Sequence, residues 1–202
     1  TSIEGGSTLK WYYTFANCTG LTSVTIGNSV TSTGFAAFDG CTSLTSVTIG
    51  NSVISIGFES FQYCTSLTSI NIPDSVTSIE GSAFYNCTSL TSVTIPDSVT
   101  SIGSGAFANC TSLTSINIPD SVTSIEGPAF ANCTNLASIR LESMAAPIIE
   151  RNAFFSISSA AIIYYPYGAT GYAASYDGVP TQEAAAAFVT IDPSLKTAVS
   201  AG

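Results

Sequence analysis

Histidine is absent from this chain, and only four lysines and arginines occur among its 202 residues. The side chain best suited to proton transfer near neutral pH is therefore missing. Thirteen acidic residues leave a net charge of −9, which argues against a nucleic-acid partner because phosphate binding needs clustered lysine and arginine. No apolar run approaches the roughly 18 residues of a membrane span. We therefore expect neither nucleic-acid binding nor membrane insertion.

Sequence motifs of known catalytic chemistry are also missing. The chain has no G-x-S-x-G, no P-loop and no G-x-G-x-x-G after a strand. Serine and threonine are abundant, but a hydroxyl nucleophile needs an adjacent base. We predict that the protein is not an enzyme and takes no cofactor.

Hydroxyl side chains fill most polar positions, since charged residues make up only 8% of the chain. A soluble domain usually carries about 25% charged residues. The surface must therefore present serine and threonine where most proteins present ions.

The sequence repeats with a period of 23 residues. Cysteine, leucine and phenylalanine each recur once per period, at a fixed offset from one another. A period near 23 lies in the range of leucine-rich repeats, whose units stack to share one core. The recurring positions are Cys18, Cys41, Cys64, Cys87, Cys110 and Cys133; Leu21, Leu44, Leu67, Leu90, Leu113 and Leu136; and Phe15, Phe38, Phe61, Phe84, Phe107 and Phe130.

Each unit has two halves, as the segment Leu90–Ser112 illustrates. The first half alternates apolar and polar residues, which predicts a half-buried strand with Val93 and Ile95 inward. Pro96 and Asp97 then form a turn. Glycine and serine interrupt the second half, so we expect short strands or single helical turns there. One unit buries too little apolar surface to fold alone, and the units must stack into about seven coils.

The unit L-x-x-V-x-I-P-x-S-V-x-S-I-x-x-x-A-F-x-x-C-x-x resembles the BspA-type, or treponemal, leucine-rich repeats over residues 15–157. The resemblance implies a right-handed leucine-rich-repeat solenoid with a parallel β-sheet on its concave face and an irregular, short-strand or short-helix convex side. Residues 161–176 look like the strand and short helix that commonly close such arrays. The resemblance also implies an extracellular or cell-surface protein acting in adhesion, host-protein binding or surface display. The repeat residues of the family are structural, so no functional residue carries over.

Three regions follow from these patterns: a solenoid over residues 1–157, a closing cap segment over 158–181 and an alanine-rich tail or linker over 182–202. An insert at 7–13 interrupts the partial first repeat, and the last repeat has one extra residue before Phe154. Atypical terminal repeats are expected, because end coils must cover the exposed core.

Outward strand positions form two columns of mostly small polar side chains, which we call the grid face. Neighbouring coils repeat these side chains about every 4.8 Å. We predict that this face binds a protein or glycan ligand, and a plain soluble sheet surface made by repeat duplication is the alternative. The columns are Ser23, Ser46, Ser69, Ser92, Ser115 and Ser138, and Thr25, Thr48, Asn71, Thr94, Asn117 and Arg140.

Aromatic residues gather at the two ends of the chain. Tyrosine and tryptophan are frequent at binding hot spots, and they are equally suited to covering an exposed solenoid end. We favour capping for the C-terminal tyrosines and leave both roles open for the residues of the insert. The two groups are Trp11, Tyr12 and Tyr13, and Tyr164, Tyr165 and Tyr167 with Tyr172 and Tyr176.

The cysteines repeat in phase with leucine and phenylalanine, which favours buried, reduced thiols. Disulfides between neighbouring coils are an alternative, since the coil spacing approaches the Cα separation that a disulfide accepts. The lack of histidine and of closely spaced cysteines disfavours zinc.

Two further repeated features have a structural and a functional interpretation. Asp74, Asp97 and Asp120 each follow a proline, which fits turn formation better than a calcium site. We therefore predict no metal site. Four Asn-Cys-Thr sequons fit the repeat consensus as well as N-glycosylation; they begin at Asn17, Asn86, Asn109 and Asn132.

These observations predict a non-catalytic, adhesin-like binding module that uses the grid face or the terminal aromatic groups. A structural subunit that self-associates through its solenoid ends is the first alternative, because an open strand edge is a template for another chain. Ice or mineral binding through the hydroxyl grid is the second.

Overall fold

A computed structural model describes the backbone of residues 2–3 and the whole of residues 12–185. In this part the chain forms fifteen strands and no helix, and thus no helix that could cross a membrane. The strands are β1 Ser2–Ile3, β2 Ser23–Ile26, β3 Ser46–Ile49, β4 Ser55–Ile56, β5 Ser69–Asn71, β6 Ser78–Ile79, β7 Ser92–Thr94, β8 Ser101–Ile102, β9 Ser115–Ile118, β10 Ser124–Ile125, β11 Ser138–Leu141, β12 Ile148–Ile149, β13 Ile162–Tyr165, β14 Ser175–Tyr176 and β15 Val179–Glu183.

The longer strands of successive coils lie side by side and are parallel, and β14 joins their C-terminal edge antiparallel. They form three hydrogen-bonded groups, in the orders β1-β2-β3, β5-β7 and β9-β11-β13-β15-β14. Contacts between β3 and β5 and between β7 and β9 join the groups into one row. Paired residues of the longer strands are 23 apart up to β11, as in Ser23 with Ser46. They are 24 apart between β11 and β13, as in Ser138 with Ile162, and 18 apart between β13 and β15. The extra residue predicted in the last repeat is therefore accommodated without loss of pairing.

The second half of each coil forms a separate parallel sheet of two-residue strands, in the order β12-β10-β8-β6-β4. The solenoid and the short strands on its second side are confirmed, with about six turns rather than seven. The short helix expected within residues 161–176 is wrong, because this segment contains strands β13 and β14 and no helix. Strand β13 extends the row of longer strands instead, and β14 lies at the end of that row, paired with β15.

Between the two sheets lies a core built from columns of apolar side chains that repeat from coil to coil. Val93 and Ile95 point inward as predicted and are 9% and 5% exposed. Phenylalanine rings from Phe15 to Phe154 stack coil on coil, with centroids 5.3–5.5 Å apart and planes within 11° of parallel. Each ring adds apolar burial worth about 1.5–3 kcal/mol, which one coil alone cannot obtain.

Two turn positions take the left-handed backbone conformation in most coils. One holds Asn17, Asn86, Asn109 and Asn132, with φ between 58° and 61°. Asparagine tolerates this conformation better than most non-glycine residues. The backbone therefore accounts for the asparagine of every Asn-Cys-Thr sequon.

Strand β1 pairs with β2 in the register of the other coils, since Ser2 lies opposite Thr25 and Ile3 opposite Ile26. Tyr12 bridges to Phe35, again 23 residues on. Ser2 and Tyr12 are therefore as far apart in sequence as their partners Thr25 and Phe35. The insert predicted at 7–13 stays a prediction. Residues 7–11 lie outside the described part of the chain.

The C-terminal end of the stack is closed by one carboxylate. In inner coils, turn amides donate to carbonyls of the next coil, as Phe130 N does to Ala153 O at 2.8 Å. In the last coil Asn152 N and Phe154 N donate instead to Oδ1 and Oδ2 of Asp177, both at 2.9 Å. Asp177 thus replaces the two carbonyls of a following coil. Strand β14 pairs antiparallel with β15 beside it.

Candidate functional site

The grid face exists as a continuous outward surface of the longer strands. Strand pairing places Ser23, Ser46 and their successors in one column and Thr25, Thr48 and their successors in another. Eleven of the twelve predicted side chains are exposed and Ser138 is half-buried. Alternation along each strand causes this, because the intervening valine and isoleucine residues point into the core. The structure therefore brings all twelve predicted positions together.

Hydroxyls of the grid face differ from the other hydroxyls of the coil in their bonding. Thr91 Oγ donates to Thr68 O at 3.1 Å, and Ser98 Oγ donates to Val76 O at 2.6 Å. In contrast, the grid side chains from Ser46 to Ser115 make no hydrogen bond to any described residue. Their donors and acceptors face solvent. A ligand can engage them without breaking a bond within the protein.

The C-terminal end of the grid face carries larger and charged side chains. Asn117 Nδ2 donates to Glu142 Oε1 at 2.8 Å, and Arg140 Nε lies 3.9 Å from the same oxygen. Tyr164 lies beside Arg140 in the strand register and is half-buried. Glu142 was not among the predicted site residues, because it follows the strand motif, at the position that Pro73, Pro96 and Pro119 hold in earlier repeats. The chain's only two cations within residues 12–185 are Arg140 and Arg151.

The N-terminal aromatic residues lie away from the grid face, on the side of the short strands. Tyr12 and Tyr13 are 60% and 56% exposed and both contact the ring of Phe35. Phe35 stacks in turn on Phe58 at 5.6 Å. Trp11 lies outside the described part of the chain. The structure therefore does not bring Tyr12 and Tyr13 together with the grid face.

The C-terminal tyrosines divide between packing and exposure. Tyr165 stacks on Tyr172 at 4.5 Å, and Tyr172 Oη donates to Ser143 O at 2.8 Å. Burial raises the pKa of Tyr172 to about 12. Tyr167 is 64% exposed and lies in the turn that follows β13. These contacts fit capping for Tyr165 and Tyr172, whereas Tyr164 extends the grid face.

Five of the six cysteines of the column are buried in the core. Each of these thiols is free and buried, and each donates to the carbonyl of a phenylalanine 26 residues earlier, as Cys87 Sγ does to Phe61 O at 3.2 Å. Burial raises the pKa of Cys87 and Cys133 to about 12 and that of Cys41 to about 11. Cys18 differs: it is exposed, because it lies in the first described coil.

Acidic side chains form no gathered site in the described residues. Asp74, Asp97 and Asp120 are all exposed at their turns. No group of three or more histidine, cysteine or acidic residues comes together within residues 12–185. Desolvation raises the pKa of both Asp39 and Glu59, and the Asp39 charge raises that of Glu59 further. No repeated motif marks this pair in the sequence.

A cleft of about 180 Å³ opens between the last coil and the C-terminal hairpin. Its lining includes Phe154, Ser158, Asp177 and Val179. Asp177 is the only charged residue of the lining, and both of its oxygens already accept backbone amides. This cleft therefore offers a ligand little beyond backbone and small side chains.

The stacked parallel strands, the fixed period and the shared leucine, phenylalanine and cysteine columns define a leucine-rich-repeat solenoid. The chain belongs to the BspA type leucine-rich-repeat family. Six copies of the family's repeat match this sequence, over residues 11–112 and 77–174. This confirms the family that the repeat motif indicated. No curated protein matches the chain.

Solved structures of bacterial leucine-rich-repeat proteins resemble this fold. The T. pallidum leucine-rich-repeat protein is 33% identical, with a TM-score of 0.62, over 73% of this chain and 64% of that one. A leucine-rich-repeat protein from Bacteroides ovatus is 24% identical, with a TM-score of 0.43, over 82% of this chain and 60% of that one. This chain thus spans less than two thirds of the length of either relative.

Proposed function

We propose that this protein is a non-catalytic binding module, adhesin-like, that holds a protein or glycan ligand on its grid face. The observation that carries the proposal is the bonding contrast within each coil. Hydroxyls beside the grid bond to neighbouring coils, whereas those from Ser46 to Ser115 on the grid are exposed and unengaged. A regular array of available donors and acceptors suits multivalent, individually weak contacts.

Location outside the cell follows from the same proposal. Surface display is what the resemblance to the BspA-type repeats implies, and a hydroxyl-rich, weakly charged face suits contact with external ligands. Labelling of intact cells with an antibody against this chain tests it. Labelling only after the cells are permeabilised contradicts it.

The experiment for binding is a screen of the purified chain against extracellular-matrix proteins and a glycan array. A variant with Thr48→Arg and Thr94→Arg places two bulky charges on the grid face and leaves the core unchanged. The matched control carries Thr42→Arg and Thr134→Arg, at exposed turn positions away from the grid. We expect a ligand that binds the native chain and the control but not the grid variant.

Two other results would redirect the proposal. A ligand held equally by all three proteins would move the binding surface to Tyr12, Tyr13 or the C-terminal tyrosines. No ligand in either screen would contradict the binding proposal and favour a structural role. Closure of the C-terminal end by Asp177 and β14 does not support that alternative as an open-ended filament, because head-to-tail stacking needs both ends free.

A further inference from the structure

The grid face ends in a group of unlike side chains, which we call the end cluster: Asn117, Arg140, Glu142, Tyr164 and Gln182. Strand pairing sets Asn117 opposite Arg140, Arg140 opposite Tyr164 and Tyr164 opposite Gln182. These four side chains therefore form one row, with steps of about 4.8 Å and a total length of roughly 14 Å. From Thr25 to Thr94 the same column holds only threonine and asparagine.

The core beneath the row fixes its direction. Ile139 and Ile163, the inward neighbours of Arg140 and Tyr164, are both 0% exposed. Because side chains alternate along a strand, Arg140 and Tyr164 must point outward. Tyr164 is half-buried in this position, whereas Gln182 is exposed. The row is thus a rigid part of the sheet with a tyrosine ring among three extended polar groups.

Polar contacts hold part of the cluster in place and leave other groups available. Glu142 Oε1 accepts from Asn117 Nδ2 at 2.8 Å and lies 3.9 Å from Arg140 Nε. The side chains of Arg140 and Glu142 are 64% and 39% exposed. Several side-chain groups have no hydrogen-bond partner among residues 12–185. They are the terminal guanidinium nitrogens of Arg140, the second carboxylate oxygen of Glu142 and the side-chain amide of Gln182.

We propose that the end cluster is a subsite for a neutral oligosaccharide, an inference that rests on the binding function proposed above. A sugar ring has an apolar C–H side and a rim of adjacent hydroxyls. The ring of Tyr164 offers an apolar surface with a polar tip. Guanidinium, carboxylate and amide groups each present two neighbouring donors or acceptors, which match adjacent hydroxyls. The charges of Arg140 and Glu142 offset each other, so the cluster suits a neutral sugar.

A protein ligand fits the end cluster less well. The buried centre of a protein interface is enriched in aromatic residues, methionine and arginine and depleted of glutamate and serine. Here a single aromatic residue lies among polar neighbours, and the adjoining grid presents mainly serine, threonine and asparagine. Such a surface supplies many hydrogen bonds and little apolar area.

The test uses a glycan array of neutral oligosaccharides, followed by calorimetric titration with the oligosaccharide that gives the strongest signal. Tyr164→Ala and Tyr164→Leu each remove the ring, and the leucine variant keeps an apolar side chain if alanine disturbs the strand. We expect both to weaken binding about tenfold or more. Tyr164→Phe should bind within about threefold of the native chain. Tyr63→Ala, which removes an exposed tyrosine outside both the grid face and the end cluster, should leave binding unchanged.

The results separate this inference from the binding proposal. Native chain that binds no neutral oligosaccharide, or binding that tolerates the loss of the Tyr164 ring, overturns the subsite. If Thr48→Arg and Thr94→Arg together abolish binding of some ligand that the Tyr164 variants keep, the grid face still binds and only the subsite is wrong. A protein ligand that is lost with Tyr164→Leu, without any sugar binding, replaces the oligosaccharide and also overturns the inference.

Discussion

Hydroxyl side chains occupy two kinds of column in the same coils, and the two kinds differ in what they contact. Ser75, Ser98 and Ser121 are partly buried and donate to carbonyls of the preceding coil at 2.6–2.7 Å. Ser46 and Ser92, a few residues away in the repeat, are exposed and contact no acceptor in the described chain. Both kinds recur at the same period, so repetition alone does not separate a structural hydroxyl from an available one.

The largest expected effect concerns the buried thiols, which donate to backbone carbonyls as Ser75, Ser98 and Ser121 do. Burial holds the five inner cysteines neutral and raises the pKa of Cys87 and Cys133 from 9.0 to about 12. The unfolded chain therefore releases thiol protons at lower pH than the folded chain. Stability from this source is complete below about pH 9 and declines as pH rises toward 12. Each such thiol contributes on the order of 1–3 kcal/mol to the loss at pH 11.

Urea unfolding at pH 8 and pH 11 measures this loss. Because tyrosines also titrate in this range, a variant with Cys64→Ala, Cys87→Ala and Cys110→Ala is the control. Its unfolding free energy should depend less on pH than that of the native chain. An equal pH dependence in both proteins would show that the thiols are not the cause.

The next effect comes from the engaged serines. Replacing Ser75, Ser98 and Ser121 together by alanine removes three intercoil hydrogen bonds and leaves three carbonyls without this donor. At roughly 1 kcal/mol each, the unfolding free energy should fall by about 3 kcal/mol. The matched variant replaces Ser46, Ser69 and Ser92 on the grid face and should change stability by less than about 1 kcal/mol in urea titration. Equal losses would erase the distinction between the two kinds of column.

A third effect concerns the end of the stack. Asp177→Asn leaves one acceptor oxygen for two backbone amides, so closure should weaken by about 1–2 kcal/mol, as for loss of a helix cap. Hydrogen exchange of the Asn152 and Phe154 amides should accelerate, while amides of inner coils should not change. Asp97→Asn, at an exposed turn, is the control. Unchanged exchange at Asn152 and Phe154 would remove the capping role.

The smallest effect compares two threonines of one strand region. Thr91 Oγ donates to Thr68 O at 3.1 Å, whereas Thr94 lies on the grid. Thr91→Val should cost about 0.5–1 kcal/mol, and Thr94→Val should fall within about 0.5 kcal/mol of the native chain. Thermal unfolding of the pair measures the difference. A larger loss for Thr94→Val would indicate a structural role for the grid hydroxyls.

Periodicity accounts for most of the fold that the sequence predicted. Alternation placed Val93 and Ile95 inward and Thr94 outward, because one buried face allows only one register. Short strands in the second half were one of two predicted forms, with single helical turns as the other, because glycine and serine interrupt that half. The closing segment was harder, because Tyr164, Tyr172 and Asp177 each occur once. No repeat fixes their position, and the predicted helix there proved to be strands.

The candidate site was predictable in outline and not in its contacts. The columns of the grid follow from alternation and spacing, so every member could be named from the sequence. Glu142 could not, because its bond to Asn117 depends on how the chain leaves β11. Gln182 enters the row only through the pairing of β13 with β15, which joins residues on either side of a long loop. The exposure of Cys18 likewise depends on its end position rather than on its motif.

The carboxylate of Asp177 has a consequence for how such a protein evolves. Asp177 offers the last coil the same two hydrogen-bond acceptors that a further coil would supply. It can therefore cap a stack of any number of coils. Duplication or deletion of whole 23-residue units among the inner coils would therefore preserve every junction. Each such event would lengthen or shorten the exposed face by about 4.8 Å. Unequal recombination would then change the length of the solenoid in steps of one coil, without any change to the residues that cap it.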